Sequence, residues 1–313
     1  AEAVGGVRQV PEGIWAVSAP NSEELLRRMD QLERGETPPW NPGERLRLAA
    51  AYSDMEEMRD QLQRSRKPVR KGRGFDIIRV RGIHYEDTPC VGKLAFLFTG
   101  QGSQYIGMGL DLAKEFEVVR STFDEAARVM ENELPHPLED YIAGRVHDTD
   151  EASSEALRAT EVSQPATLAV DISILRLLAS FGVIPDVVAG HSLGEYGALV
   201  AAGMMEFPDA LRAVSARGRE MAAVDIPDVG KMAGIAASTE EVEEVLAEIP
   251  GYVIPANKNC PTQTVIAGAS DAVEAASEAF RSRGITVYPL PVSHAFHSDI
   301  VAPASGPMKQ VLQ

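Results

Sequence analysis

The chain has 313 residues, 44% hydrophobic and 24% charged, with 30 Lys+Arg against 46 Asp+Glu and a net charge of −16. That balance describes a globular chain with enough apolar material for a real core and a length of about two domains. The acidic excess argues against nucleic acid as the main partner, because phosphate contacts need clustered Lys and Arg. No unbroken apolar run predicts a membrane span.

The first residues, Ala1-Glu2-Ala3-Val4-Gly5, have neither the basic nor the apolar region of a signal peptide. They also lack an initiator Met, so the chain is expected to be an excised piece of a longer one. Cys90 and Cys260 are the only cysteines. They form no metal pattern and no disulfide framework, which fits a reducing cytoplasm.

Residues 1–90 predict a small α/β module. Ile14–Ser18 reads as a strand, and Asn21 or Ser22 caps a helix to about Glu33 with Leu25, Met29 and Leu32 on one face. Arg45–Ala49 alternates like a strand, Asp54–Arg64 reads as a helix, and Phe75–Val80 as a returning strand. Arg64, Arg66, Lys67, Arg70, Lys71 and Arg73, broken by Pro68, Gly72 and Gly74, form a basic stretch. It reads as a solvated connecting loop, or as a docking patch for an acidic partner or coenzyme phosphates.

From residue 91 the pattern changes. Leu94–Phe98 is a continuous apolar strand of the kind buried on both faces of a parallel sheet. Thr99-Gly100-Gln101-Gly102-Ser103-Gln104 follows it, a glycine loop without the Lys-Ser/Thr of a Walker loop. Ala166–Leu178 is apolar on most of its circumference and predicts an interior helix. Val187-Val188-Ala189 leads into Gly190-His191-Ser192-Leu193-Gly194, with helices expected from Ser192 and Asp209. This is the G-x-S-x-G elbow, in which a tight strand-to-helix turn presents a serine hydroxyl at the positive end of a helix dipole. The flanking glycines are expected to let the backbone make the turn and a substrate approach. Alternating strands and helices predict a doubly wound, mostly parallel α/β core.

Residues 229–292 predict a distinct βαββαβ unit of ferredoxin-like order, inserted before a histidine segment. Its strands are expected at Met232–Ala237, Tyr252–Ala256, Thr264–Ala267 and Ile285–Tyr288, its helices at Thr239–Ala247 and Ala272–Arg283. The histidine segment is His294-Ala295-Phe296-His297-Ser298. A serine on an elbow with a histidine as general base indicates acyl transfer through a serine ester.

The glycine loop, the elbow with Glu195, Arg217-Gly218 and the histidine segment stand in an order that resembles the malonyl-CoA:acyl-carrier-protein transacylase family. In particular it resembles the acyltransferase domains of type I polyketide synthases. The resemblance covers residue 93 to the end, and residues 1–90 are similar to the linker that joins ketosynthase to acyltransferase there. The resemblance implies a domain division at 90/91 and a ketosynthase upstream in the same chain. It further implies malonyl-CoA as donor, an acyl carrier protein bearing phosphopantetheine as acceptor, and no permanently bound metal or cofactor. Ser192 would be the nucleophile and His297 the base. The backbone N–H groups of Leu193 and Gln101 would form the oxyanion hole.

Arg217 would clamp the malonyl carboxylate with two parallel N–H bonds. His191 would line the site near that carboxylate. Phe296 would exclude a methyl branch, and His294 would play a structural part near this specificity segment. The family continues beyond the histidine with a further strand and helices, so a carboxyl-terminal part is expected to be missing. The rivals are an α/β-hydrolase-type serine hydrolase or thioesterase, which needs an acid between Ser192 and His297 (Asp225, Asp228 and Asp271 are there), and a docking scaffold with an inactive serine.

Overall fold

The computed structural model describes residues 13–41, 43–88, 92–290 and 292–313, so the amino-terminal residues and Cys90 lie outside the described residues. The chain divides into two compact units at Lys93/Leu94.

In the first unit β1 (Ile14–Ala19), β2 (Leu46–Ala51) and β3 (Ile83–Glu86) form an antiparallel sheet in that order. Pairing sets Trp15 against Ala50, Val17 against Leu48 and Ala19 against Leu46, all buried. This period-two face meets α1 (Ser22–Glu33) through Leu25 and Met29, and α2 (Met55–Lys71) through Met58, Leu62 and Val69. Asn21 and Asp54 cap the two helices by accepting backbone N–H groups.

Two expectations change here. The helix expected to stop at Arg64 runs on to Lys71, so the basic stretch is mostly helical rather than a loop. Ser65 and Val69 continue its buried stripe, and that burial outweighs the hydrogen bond removed by Pro68. Phe75–Arg79 is a short helix, α3, and the strand lies later, at Ile83–Glu86. Residues 75–80 carry apolar side chains on both alternating faces, whereas Ile83 and Tyr85 alternate with His84 and Glu86 and so fit a one-sided sheet.

The second unit opens with β4 (Ala95–Phe98), then α4 (Leu110–Glu115), α5 (Glu117–Met130), α6 (Leu138–Ile142), α7 (Asp150–Arg158) and α8 (Thr160–Ser180). β5 (Val187–Gly190), α9 (Gly194–Ala201) and α10 (Phe207–Ala222) follow. β4 and β5 pair in parallel, and the helical core gathers Phe123, Ile142, Leu168, Ile172, Leu211 and Val214. α8 is long and apolar enough to cross a membrane by length and composition, but 61% of that window is buried in the unit. The strand expected to be buried on both faces is not. Leu97 is 77% and Val187 48% exposed, while Phe98 is buried. Among the described residues the helices cover one face of the β4–β5 pair.

The insert folds in the expected order: β6 (Lys231–Ile235), α11 (Thr239–Leu246), β7 (Val253–Cys260), β8 (Gln263–Gly268), α12 (Ser270–Ser282) and β9 (Val287–Pro289). Its antiparallel sheet runs β7-β8-β6-β9 over a core of Ile235, Val242, Val245, Ile266 and Phe280. Asp228 braces its entry by accepting from Gly230 N, Ser270 N and Ser270 Oγ at 2.6–2.9 Å. Ala295 N donates to Val229 O at 2.8 Å where the chain leaves. A 3-10 turn (Asp299–Ala304) and α13 (Ser305–Val311) follow.

Candidate active site

The elbow grows straight out of the β4–β5 pair. His191 N donates to Phe98 O at 3.1 Å, and Gly194 N and Glu195 N return to His191 O and Ser192 O. Ser192 itself takes the left-handed conformation, φ 54°. The glycines serve a different purpose from the one expected, since neither Gly190 nor Gly194 has positive φ. A Cβ on Gly190 would overlap the Gly194 carbonyl, and one on Gly194 the Phe98 carbonyl. They are glycines because backbone lies against backbone there, while the strain, about 1–3 kcal/mol, sits on the serine.

His297, 105 residues on, brings Nε2 to 2.8 Å from Ser192 Oγ, within hydrogen-bond distance. It too is left-handed, φ 58°. Among the described residues the only non-glycine positions with positive φ are therefore the two that hydrogen-bond each other. To take the serine proton Nε2 must be unprotonated, so a neutral ring acting as base carries its proton on Nδ1. Burial pushes the His297 pKa below its ordinary value, and the charges of Arg217 and His191 push the same way against Glu195. These effects favour the neutral imidazole.

The pair opens into a cleft of about 280 Å³ between the elbow and the insert sheet. Arg217 lines it, half-buried on α10, and donates from Nη1 to Gln164 Oε1 at 2.8 Å. Desolvation lowers its pKa against the pull of Tyr196 and Glu195. Gln101 also lines the cleft, and its side chain donates to Ser163 Oγ at 2.8 Å. Leu193 is buried, and its residue heads α9 as the N-cap. Phe296 contributes to the wall with Met232, Val265, Leu290 and Val292. Asn257, Asn259 and Gln263 face them as an amide wall. His191 Nε2 meets Asn259 Oδ1 at 3.2 Å, and Asn259 Nδ2 donates to Gln263 Oε1 at 3.1 Å. His294 is not among the lining residues. Its ring is held by Val224 O and Ser293 Oγ behind Phe296, 6.1 Å between ring centroids.

Sequence reading missed Ser163, Gln164 and Asn259. The first two were visible as polar residues opening an otherwise apolar helix, and both are fully buried. Asn259 left no signal. Of the acids between Ser192 and His297, Asp228 braces the insert, and none of Asp225, Asp228 and Asp271 hydrogen-bonds His297. Among the described residues no group of three His, Cys, Asp or Glu gathers around a metal position.

The acyl transferase domain family matches residues 95–313. The malonyl CoA-acyl carrier protein transacylase of Bacillus subtilis (strain 168) is 40% identical over 227 residues, 71% of this chain and 68% of that protein. Polyketide synthase GfsA of Streptomyces halstedii is 36% identical along 100% of this chain, which spans 4% of its length. Among solved structures, the acyltransferase domain from the second module of the salinomycin polyketide synthase superposes with a TM-score of 0.72 at 31% identity. That match covers 95% of this chain and 68% of the other. A type II carrier protein in complex with its malonyl-transacylase (PlMCAT:AntF) gives 0.63 at 37% identity over 71% and 69%.

Proposed function

The chain belongs to the acyl transferase domain family, and on that footing we propose that it moves a malonyl group from coenzyme A, through an ester on Ser192, to the phosphopantetheine thiol of an acyl carrier protein. The observation that carries this reading is the 2.8 Å Ser192 Oγ to His297 Nε2 hydrogen bond at the mouth of a cleft that also holds Arg217.

Ser192 Oγ attacks the thioester carbonyl as its proton passes to His297 Nε2. The backbone N–H groups of Leu193 and Gln101 take the developing oxyanion. Collapse breaks the C–S bond, and His297 returns the proton to the departing thiolate. The second half mirrors the first: the phosphopantetheine thiol gives its proton to His297, its sulfur attacks the ester, and Ser192 Oγ leaves protonated. Arg217, held by Gln164, grips the malonyl carboxylate. Among the described residues no carboxylate hydrogen-bonds His297, so the pair lacks the acid that a Ser-acid-His hydrolase needs. A ketosynthase in the same chain, as in a polyketide synthase, fits the likeness of this whole chain to a 4% stretch of such a synthase.

Incubation with malonyl-CoA should add one malonyl mass to this chain, and Ser192→Ala should abolish the adduct with the fold unchanged. An adduct that persists in the alanine variant removes Ser192 from the chemistry. Phe296 supports malonyl over branched donors, because its ring fills the wall beside the acyl group. Phe296→Ser should raise methylmalonyl loading relative to malonyl by roughly 10-fold, within the 1–3 kcal/mol that one methyl is worth. An unchanged ratio in a two-donor competition places selectivity elsewhere.

A further inference from the structure

The segment from Arg64 to Arg81 carries eight of the 30 Lys+Arg and one of the 46 Asp+Glu. The rest of the chain is strongly acidic, so this concentration needs a reason. The end of α2 and the start of α3, joined by Gly72 and Gly74 at φ 60° and 88°, enclose a groove of about 470 Å³. Its apolar lining is Pro68, Ile77 and Ile78, and its charged lining Arg64, Lys67, Lys71, Arg73 and Arg81. Internal acids occupy only part of this charge: Arg64 pairs with Asp60, and Arg66, outside the groove, pairs with Asp30 and Glu33. Lys67, Lys71 and Arg73 have no ion-pair partner among the described residues. Ile77 is 70% and Val80 86% exposed. Crowded like charges around exposed apolar side chains are unfavourable on two counts. Both are relieved by an occupant that brings carboxylates and an apolar anchor together.

We propose that this groove docks an acidic amphipathic helix of a partner protein. Arg64, Lys67 and Lys71 lie at i, i+3 and i+7 on one face of α2, about 10 Å of helix. A facing helix offers carboxylates at the same spacing on either side of an apolar residue that meets the apolar lining. A phosphate group is a poorer match. Phosphate sites converge on one point, commonly the N–H groups of a helix N-terminus. Here the cations are spread along a groove with an apolar lining at the C-terminal, negative end of α2. The groove lies wholly in the first unit and does not depend on the chemistry at Ser192.

The probe is a labelled synthetic helical peptide of about 14 residues, with Leu at i, i+3, i+4 and i+7 and Glu on its flanks. It should bind the full chain with an affinity that falls as salt rises. The triple variant Lys67→Glu/Lys71→Glu/Arg73→Glu should weaken binding at least tenfold. Ile77→Ser alone should weaken it several-fold, with Ser192 acylation and the thermal midpoint unchanged. A peptide of equal charge in which Ser replaces every Leu should bind far more weakly. Equal binding to the charge-reversed chain overturns the proposal, as does equal binding of the leucine-free peptide, which would be plain charge attraction. Displacement of the peptide by equimolar pyrophosphate, or Ile77-dependent binding to phosphatidylglycerol vesicles without binding to the peptide, assigns the groove to a phosphate or a lipid surface instead.

Discussion

Arg217 stands where one residue serves two ends. Its guanidinium is half-buried, held by Gln164 and close enough to His297 to oppose a second positive charge there. Arg217→Ala should therefore lower malonyl loading relative to acetyl loading by roughly 10- to 150-fold, the equivalent of about 1.5–3 kcal/mol for a charged hydrogen bond. It should also move the acid limb of the pH–rate profile. The pKa of His297 lies below its ordinary value in part because of this cation. Removing the cation raises that pKa, so at a fixed mildly acidic pH more imidazole is protonated and less base remains. The limb, read with acetyl-CoA, should shift to higher pH. Equal losses with both donors and an unmoved limb would make Arg217 a packing residue only.

At the scale of the element, α8 is the support of the site and carries an internal tension. Thr160, Ser163 and Gln164 in its first turns reach Ser293, Gln101 and Arg217. Two turns on, Asp171 Oδ2 and Thr167 Oγ1 are shut off from solvent without a hydrogen-bond partner among the described residues. Burial pushes the Asp171 carboxyl up to about 7. Below its ordinary value of 3.8 the group is protonated in both states and costs nothing. As pH rises from there, the unfolded chain releases the proton and the native chain keeps it. Stability is thus lost progressively, and the loss levels off above about pH 7. Asp171→Asn should stabilise the second unit at pH 8 by about 2–4 kcal/mol, from 1.36 kcal/mol per pKa unit, and leave it unchanged at about pH 3. Thermal midpoints at the two pH values check this, and an equal gain at both would mean that ionisation of Asp171 is not the cause.

At the scale of the whole molecule, the two units have separate hydrophobic cores. Both tryptophans, Trp15 and Trp40, belong to the first unit. Leu48 is fully buried there, opposite Val17. Leu48→Ala should cost that unit about 2–5 kcal/mol and lower the unfolding midpoint read by tryptophan fluorescence. Acylation of Ser192 just above that midpoint should persist. Joint loss of fluorescence and acylation would show that the cores do not stand alone.

The motifs were legible because each rests on local chemistry. A glycine–serine–glycine turn after a β-branched strand has few other uses, and a βαββαβ pattern declares itself through periodicity. Ser192 and His297 were named from such signals, Arg217 and Phe296 from the family resemblance, and all four line one cleft. Local pattern did not say what the elbow glycines are for, because backbone contact between Gly194 and Phe98 is a tertiary fact. Nor did it separate the half-exposed β4–β5 pair from a fully buried one, since Leu94–Phe98 has the same apolar run either way. It placed a strand at Phe75–Val80, where a short helix instead turns the exposed Ile77 to a groove. It passed over Gln164 and Asn259, which matter only because folding brings α8 to Arg217 and the β7–β8 hairpin to His191. Residue type and spacing determine which side chains are able to react; packing across the chain decides which polar groups hold them and which apolar faces remain open.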